Sequence, residues 1–171
     1  YDVTTVVSNS GTVSFDRSVY PVPFGTNELR TGADATTGQS EAGNVTMTIS
    51  ISDSDFTGDT LTTSGANAPG TVLVKLIEGT TTSTCFTAGS ATSNTIYKSG
   101  STTHELGPFS EVDIGSSVFE LEFTVSETLD CHDAASPVVD YMRSITSGDV
   151  FQVEYVDTAD DAGVTTTVYD S

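Results

Sequence analysis

Apolar and polar residues alternate along much of this chain. Alternation with a period of two is typical of a β-strand with one buried face and one solvated face. The stretches with this pattern are residues 2–7, 12–16, 45–52, 71–77, 118–125, 150–156 and 164–169. The pattern therefore predicts an all-β protein.

Two of these stretches are regular enough to predict which side chains face the core. In residues 45–52 (VTMTISIS) and 118–125 (VFELEFTV), every second residue is apolar and the intervening residues are Thr, Ser or Glu. Successive side chains of a strand point to opposite faces, so the apolar set belongs to one face. The predicted inward set is Val45, Met47, Ile49, Ile51, Phe119, Leu121, Phe123 and Val125.

The spacing of the strands predicts the architecture. Segments rich in Gly, Ser, Thr, Asn and Asp separate the strands, among them residues 53–70 and 126–136. Repeated short strands with such connections favour an immunoglobulin-like antiparallel β-sandwich, and a barrel is the alternative. A length of 171 residues predicts a single domain over residues 1–171. At most one helical turn is indicated, in residues 137–145.

The net charge of the chain excludes some classes of binding partner. The chain has 24 acidic and 5 basic residues, and its formal net charge is -19. Such a field repels nucleic acid and anionic lipid and concentrates cations. It also opposes compaction unless salt screens it, which favours an extracellular location. No apolar run is long enough to cross a bilayer, so we expect a protein that does not span the membrane.

The two cysteines, Cys85 and Cys131, lie 46 positions apart without a CxxC motif. We therefore predict a disulfide, with two buried free thiols as the alternative. A bridge closing a loop of this length stabilises a fold by roughly 3–4 kcal/mol in the chain-entropy model. Its persistence requires an oxidising compartment.

Two further features are compatible with export. The sequence begins at Tyr1 and not at Met, as a processed product or an excised part of a longer polypeptide does. Asn44 begins an Asn-Val-Thr triplet, which is the acceptor pattern for N-glycosylation. We expect a cell-surface protein that could carry a glycan at Asn44.

Two acidic clusters each follow a predicted strand. The first has the spacing D-x-D-x-x-x-D, with a glycine inside it, and the second lies in the stretch DTADDAG. The predicted cation ligands are Asp53, Asp55 and Asp59 in the first cluster and Asp157, Asp160 and Asp161 in the second. Loops at one end of a sandwich meet in space, so together the clusters could hold Ca²⁺, with an expected Kd of roughly 10⁻⁴–10⁻³ M. The alternative is that these acids are solvated and cap turns.

The sequence does not predict an enzyme. His104 and His132 are the only histidines, and His132 is adjacent to Cys131. Adjacent residues of an extended chain point to opposite faces, so these two side chains make a poor nucleophile and base. The chain has no GxSxG, HExxH or phosphate-binding glycine loop.

Three stretches carry a resemblance to a known family. They are residues 11–32 (GTVSFDRSVYPVPFGTNELRTG), 107–125 (GPFSEVDIGSSVFELEFTV) and 148–171 (GDVFQVEYVDTADDAGVTTTVYDS). The spacing of Pro21 and Pro23 after SVY is the most distinctive feature. In these stretches the chain resembles a repeat module of surface-layer (S-layer) proteins of ammonia-oxidising archaea.

The resemblance implies tandem immunoglobulin-like domains, export, a paracrystalline coat and divalent-cation binding. It implies cation-facing roles for Asp53, Asp55, Asp157, Asp160 and Asp161. Members of the family hold several modules in one long chain, and this chain is about one module long.

Two functional hypotheses follow. The first is a structural subunit or module of an extracellular archaeal cell-surface assembly, a surface layer or a filament. It would assemble with copies of itself, or with neighbouring modules of the same chain, through β-strand pairing or donation. Residues 1–7 (YDVTTVV) are the predicted donor strand. The second is a secreted, adhesin-like binding module that recognises sugar or a partner protein.

Overall fold

The computed structural model of the chain describes residues 11–24, 30–31, 43–54, 60–63, 70–90, 97–98, 104–133, 141–158 and 165–171. The predicted strand at residues 2–7 lies outside the described residues. Strands and their connections make up the described part of the chain, and no helix occurs in it. Accordingly, no helix with the length and apolar character needed to cross a membrane is found there.

The strands in the described residues are, in chain order, β1 (Thr12–Phe15), β2 (Arg30–Thr31), β3 (Val45–Ser52), β4 (Thr60–Leu61), β5 (Gly70–Glu78), β6 (Thr81–Ala88), β7 (Tyr97–Lys98), β8 (His104–Glu105), β9 (Phe109–Glu111), β10 (Val118–Val125), β11 (Thr128–Asp133), β12 (Tyr141–Ser144), β13 (Val150–Asp157) and β14 (Thr166–Asp170).

The strands form two sheets. In the first sheet the order is β1, β3, β10, β9, β4, and β2 also pairs with β10. In the second sheet the order is β12, β11, β6, β5, β13, β14, with β8 beside β6 and β7 beside β8. The β6–β8 pair is parallel, and the other pairs in the described residues are antiparallel. The predicted all-β class and antiparallel β-sandwich are confirmed.

The core lies between the two sheets and has the side chains that alternation predicts. The eight apolar residues predicted to point inward from β3 and β10 are all buried. Phe86 of the second sheet meets Phe123 of the first edge to face, with ring centroids 5.0 Å apart, a favourable arrangement for an aromatic pair. Buried residues of both sheets form one cluster, so the predicted inward faces are confirmed.

Strands β6 and β11 of the second sheet were not predicted from the sequence. The ladder between β5 and β6 shifts between Val74 and Lys75, and this irregularity lets the consecutive residues Cys85 and Phe86 both point into the core. A β-bulge breaks the alternation that would identify a strand. The sequence assigned residues 126–136 to a loop, which is wrong for β11; that polar strand pairs with β6 and β12.

The sandwich has two ends that differ in structure. The acidic end contains Gly11, Asp53, Ser117 and Asp157, where β1 and β10 begin and β3 and β13 end. The groove end is where β3 and β13 begin and β10 and β14 end. Strand β10 runs from the acidic end to the groove end, a span of roughly 24 Å at the usual rise of a strand.

Candidate functional site

Two of the six predicted cation ligands are buried together at the acidic end. Asp53 directly follows β3 and Asp157 ends β13, and only 2% and 1% of their surfaces are exposed. The hydroxyl of Tyr155 donates to Oδ2 of Asp53 over 2.6 Å. The backbone N–H of Gly11 donates to Oδ2 of Asp157 over 3.2 Å. Both carboxylates lie next to Gly11, since a Cβ on Gly11 would also be 3.3 Å from Oδ2 of Asp53, although 104 positions separate them in the sequence.

Glycine is required at two positions of the acidic end. A Cβ on Gly11 would lie 2.6 Å from the Tyr155 ring and 3.3 Å from Oδ2 of Asp53. A Cβ on Gly70 would lie 1.8 Å from the backbone oxygen of Val156. Because both positions lack a side chain, the Tyr155 ring fits between the sheets and its hydroxyl reaches Asp53. The result is a buried network of polar groups, which is stable when its members have partners.

The described part of the site supplies few ligands for a metal ion. Ca²⁺ takes six to eight oxygen ligands. Within the described ranges, no three His, Cys, Asp or Glu side chains come together in a group that could hold a metal ion. The other four predicted ligands, Asp55, Asp59, Asp160 and Asp161, lie outside those ranges. A calcium site at this end therefore stays a prediction.

The predicted disulfide is confirmed. Cys85 of β6 and Cys131 of β11 are bonded, with an S–S distance of 2.11 Å, and both are buried. The bond joins neighbouring strands of the second sheet, since His132 and Asp133 pair with Thr84 and Ser83. In immunoglobulin domains the characteristic disulfide crosses between the two sheets. The immunoglobulin-like subclass thus stays a prediction.

Asn44, the predicted glycosylation acceptor, immediately precedes β3. The residue is half-buried, and its Oδ1 atom is buried without a hydrogen-bond partner among the described residues. Glycosylation stays a prediction.

Carboxylates join β1 to the second sheet, and one of them was not predicted. Among the described strands of the first sheet, β1 pairs with β3 only. The N–H of Phe15 donates to Oδ2 of Asp170 over 2.7 Å, as that of Gly11 does to Asp157. These bonds occupy backbone donors that an edge strand would otherwise expose. No sequence pattern distinguishes Asp170 from the other acids, because its role depends on how β14 lies beside β1.

At the groove end, one side of β3 is only half covered. Strand β1 pairs with residues 49–52 of β3. Asp16 then exchanges bonds with Thr48, whose N–H donates to the Asp16 carboxylate over 2.8 Å. On that side, residues 45–47 have no strand partner in the part of the chain that the structure describes. A groove of about 340 Å³ opens here, lined mainly by apolar residues that include Phe15, Met47, Val125 and Phe151.

The segment that follows β1, residues 16–24, forms one wall of this groove; we call it the strap. The hydroxyl of Tyr20 donates to Oδ1 of Asp16 and accepts the N–H of Arg17 over 3.2 Å. The Tyr20 ring also meets Phe15 edge to face, with centroids 6.4 Å apart. The wall is therefore an ordered turn, and Pro21 and Pro23 restrict its backbone further.

Two ionisable groups of the strap influence each other. Burial raises the pKa of Tyr20 well above its usual value, and the hydrogen bond to Asp16 and the negative charge of Asp16 add to this effect. Burial acts to raise the pKa of Asp16, but the hydrogen bonds from Tyr20 and Thr48 and the nearby charge of Arg17 outweigh it. The pKa of Asp16 is therefore lowered. Both shifts favour the pair of a neutral tyrosine and a carboxylate.

Comparison with known proteins adds no relative: no protein-family model matches the chain, and no curated protein matches it significantly. The resemblance to surface-layer repeat modules stays a prediction. Function must be inferred from the two ends of the sandwich themselves.

Proposed function

We propose that this chain is a structural subunit or module of an extracellular archaeal cell-surface assembly, a surface layer or a filament, in which copies associate by strand donation. The observation that supports this most directly is the apolar groove beside the uncovered half of β3. An extended segment of another copy would fill it.

The groove has the two features that strand addition needs. Residues 45–47 offer backbone groups along a strand edge, and edges of this kind accept another strand. Met47 and Val125 lie on the apolar wall beside that edge. Alternate side chains of an added strand point the same way, so one set would enter the groove while the backbone pairs with β3.

Residues 1–7 (YDVTTVV) are the proposed donor. They precede Gly11, which lies at the acidic end, whereas the groove lies roughly 24 Å away at the other end. A segment that continues from Gly11 away from the sandwich would reach the groove of a neighbouring copy. This is a head-to-tail contact, which generates open filaments when the rotation between copies does not close a ring.

Charge and the disulfide suit a scaffold outside the cell. The Cys85–Cys131 bond persists in oxidising compartments. A net charge of -19 on each copy makes association unfavourable at low ionic strength, and salt or bound cations reduce this repulsion. We infer that assembly is favoured in a saline exterior.

We also propose that the acidic end attracts Ca²⁺ through Asp53, Asp157 and the four further acids that the sequence predicts. The closeness of Asp53 and Asp157 around Gly11 supports this. The test is a thermal melt with millimolar Ca²⁺ and with a chelator. A higher melting midpoint with Ca²⁺ supports the proposal, and an unchanged midpoint ends it.

Deletion of residues 1–7 tests strand donation. The wild-type chain should form assemblies visible by electron microscopy, and the deleted chain should remain monomeric in size-exclusion chromatography. The synthetic peptide YDVTTVV should raise the melting midpoint of the deleted chain, and a peptide of the same composition in scrambled order should not.

Assemblies of unchanged length from the deleted chain would contradict the donor role of residues 1–7. A wild-type chain that stays monomeric at all concentrations and salt strengths would contradict self-assembly. That result would favour the binding-module alternative.

A further inference from the structure

The exposed large apolar residues are concentrated at the two ends of the sandwich. In the described ranges they are Val19, Val22, Phe24, Val112, Ile114, Val150 and Tyr169. All of these except Tyr169 lie either in the connection between β9 and β10, at the acidic end, or in the strap and the start of β13, at the groove end. Apolar surface grouped in this way marks an interaction site.

At the acidic end, the connection between β9 and β10 is a firmly built hairpin tip, residues 112–117; we call it the knob. The N–H of Val112 donates to the oxygen of Val118, and the N–H of Ser116 donates to that of Asp113, each over 2.9 Å. The second bond closes a β-turn in which Gly115 has a φ of 78°, the conformation that glycine favours. The N–H of Ser117 also donates to the carboxylate of Glu111 over 3.1 Å.

Ile114 stands at the corner of this turn with 98% of its surface exposed. The turn needs a glycine at position 115, but it does not need a large apolar residue at position 114. An isoleucine held on a rigid turn loses little freedom when it binds, which makes it an effective anchor.

At the groove end, the strap presents the complementary apolar surface. Val19 is 80% exposed and Phe24 is 72% exposed. The N–H of Phe24 donates to the oxygen of Gly43 over 2.9 Å, and the Phe24 ring covers the position that a Cβ on Gly43 would take. The ring is therefore held in place although it is mostly exposed.

The charges of the two surfaces are also complementary. Asp113 is exposed at the tip of the knob. Arg17 is one of only five basic residues in the chain; its Nε lies 3.3 Å from the carboxylate of Asp16 in the strap, and 63% of its side chain is still exposed. On a molecule with a charge of -19, the strap is thus one of the few places where an acidic tip meets a positive group, and such complementarity orients an encounter.

We propose that the knob of one copy docks on the strap of the next copy, with Ile114 and Val112 packed against Val19, Val22 and Phe24, and with Asp113 beside Arg17. This inference rests on the proposed self-assembly and adds a second contact to it. Gly11 and the knob share the acidic end, and the groove and the strap share the other end. One neighbour therefore receives both the donated strand and the knob.

The proposed docking determines how the strands are oriented relative to the filament axis. Because the knob and the strap lie at opposite ends of β10, successive copies stack along the strands. The strands of the sandwich should then run nearly parallel to the filament axis, whereas in a cross-β fibre they run perpendicular to it. The reflection that corresponds to the strand spacing of about 4.7 Å should be equatorial in fibre diffraction.

The variant Ile114→Ser tests the anchor, with Tyr169→Ser as the matched control, an exposed apolar residue away from both ends. The critical concentration for assembly, measured by sedimentation, should rise roughly 10- to 100-fold for Ile114→Ser, because burying an aliphatic side chain contributes that much to binding. The control should change it less than about 2-fold. Unfolding in urea checks that both variants fold like the wild type.

A charge exchange tests the orientation of the docked copies. Asp113→Lys, which leaves the strap untouched, and Arg17→Glu should each raise the critical concentration, and the two changes in one chain should lower it again by restoring an opposite-charge pair between copies. Because Arg17→Glu also removes the ion pair with Asp16, unfolding in urea checks that the variants fold like the wild type. An Arg17→Glu, Asp113→Lys chain that assembles no better than Arg17→Glu alone would contradict this pairing.

The outcomes separate the docking from the donated strand. Assembly that disappears on deletion of residues 1–7 but is unchanged in Ile114→Ser would overturn the docking and leave strand donation in place. Assembly that survives the deletion but weakens in Ile114→Ser would support the docking and contradict the donor. A wild-type chain that never assembles would overturn both.

Discussion

The two ends of the sandwich share strands β3, β10 and β13, but they differ in how many of their polar groups are paired and how much of their apolar surface is covered. At the acidic end, Asp53 and Asp157 are buried and accept hydrogen bonds from Tyr155 and Gly11. At the groove end, no described strand pairs with residues 45–47 on the β1 side of β3, and apolar side chains are exposed.

This difference shows that burial does not follow polarity in this fold: some carboxylates are buried, and some large apolar side chains are exposed. At the acidic end, the side chains of Asp53 and Asp157 are buried and have hydrogen-bond partners, and the exposed apolar residues lie on the knob. At the groove end, apolar groups are exposed, and among the described residues no strand pairs with residues 45–47 on the β1 side of β3. Changes to the buried groups of the acidic end should therefore alter the stability of the single copy, and changes to the exposed apolar groups should alter association.

The largest loss is expected for Gly70→Ala at the acidic end. The new Cβ would lie 1.8 Å from the backbone oxygen of Val156, an atom that no side-chain rotation can move away. The free energy of unfolding in urea should fall by about 3 kcal/mol or more. Gly79→Ala is the control: its Cβ would meet no described atom within 4 Å, although φ is +60° there, and it should cost about 1 kcal/mol. Equal losses would show that the acidic end is less tightly packed than described.

Tyr155→Phe tests the buried carboxylate. The substitution removes the hydroxyl that donates to Asp53, and the carboxylate is left with one donor fewer in a buried place. We expect a loss of about 2 kcal/mol in the free energy of unfolding, with an unchanged m-value. The exposed tyrosine provides the control, since Tyr169→Phe should change stability by less than about 0.5 kcal/mol.

A third pair of variants compares two valines of β13, one in the core and one at the rim of the groove. Val153 is fully buried, whereas 40% of Val150 at the rim is exposed. Val153→Thr should lower the free energy of unfolding by about 1–3 kcal/mol, because it buries a hydroxyl among apolar groups. Val150→Thr should change it by less than about 0.5 kcal/mol. If Val150→Thr were as destabilising as Val153→Thr, the rim would belong to the core of the single copy.

The smallest effect is a dependence on pH that comes from the strap. The pKa of Asp16 is lowered from 3.8, so the ionised form stabilises the folded chain above that value, and this contribution is lost as the pH falls through the folded pKa. The pKa of Tyr20 is raised from 10.0, so its contribution is complete below pH 10 and is lost as the pH rises through the folded pKa.

Urea unfolding of the wild type and of Tyr20→Phe, followed from pH 5 to pH 2 and from pH 9 upward, measures this contribution. The difference in stability between the two proteins should shrink toward both extremes. The titration of the other acids affects both proteins equally, so it does not change the difference between them. A difference that stays constant across the acid range would contradict the role of the Asp16 carboxylate.

Local pattern was sufficient for part of this structure. The inward faces of β3 and β10 follow from alternation, because a strand turns each successive side chain to the opposite face whatever its neighbours are. The disulfide also follows, since the chain has only two cysteines, Cys85 and Cys131. In contrast, β6 escaped prediction because its bulge places Cys85 and Phe86 on the same side.

The sequence by itself therefore determined the all-β class, the core faces of the regular strands and the disulfide between Cys85 and Cys131. Only the tertiary structure decided that Asp53 and Asp157 meet around Gly11, that Asp170 binds the backbone of β1, and that β1 covers only part of β3. Each of these depends on which distant strands lie side by side and in which register. Alternation within a strand carries no information about that choice, because many pairings bury the same apolar face equally well.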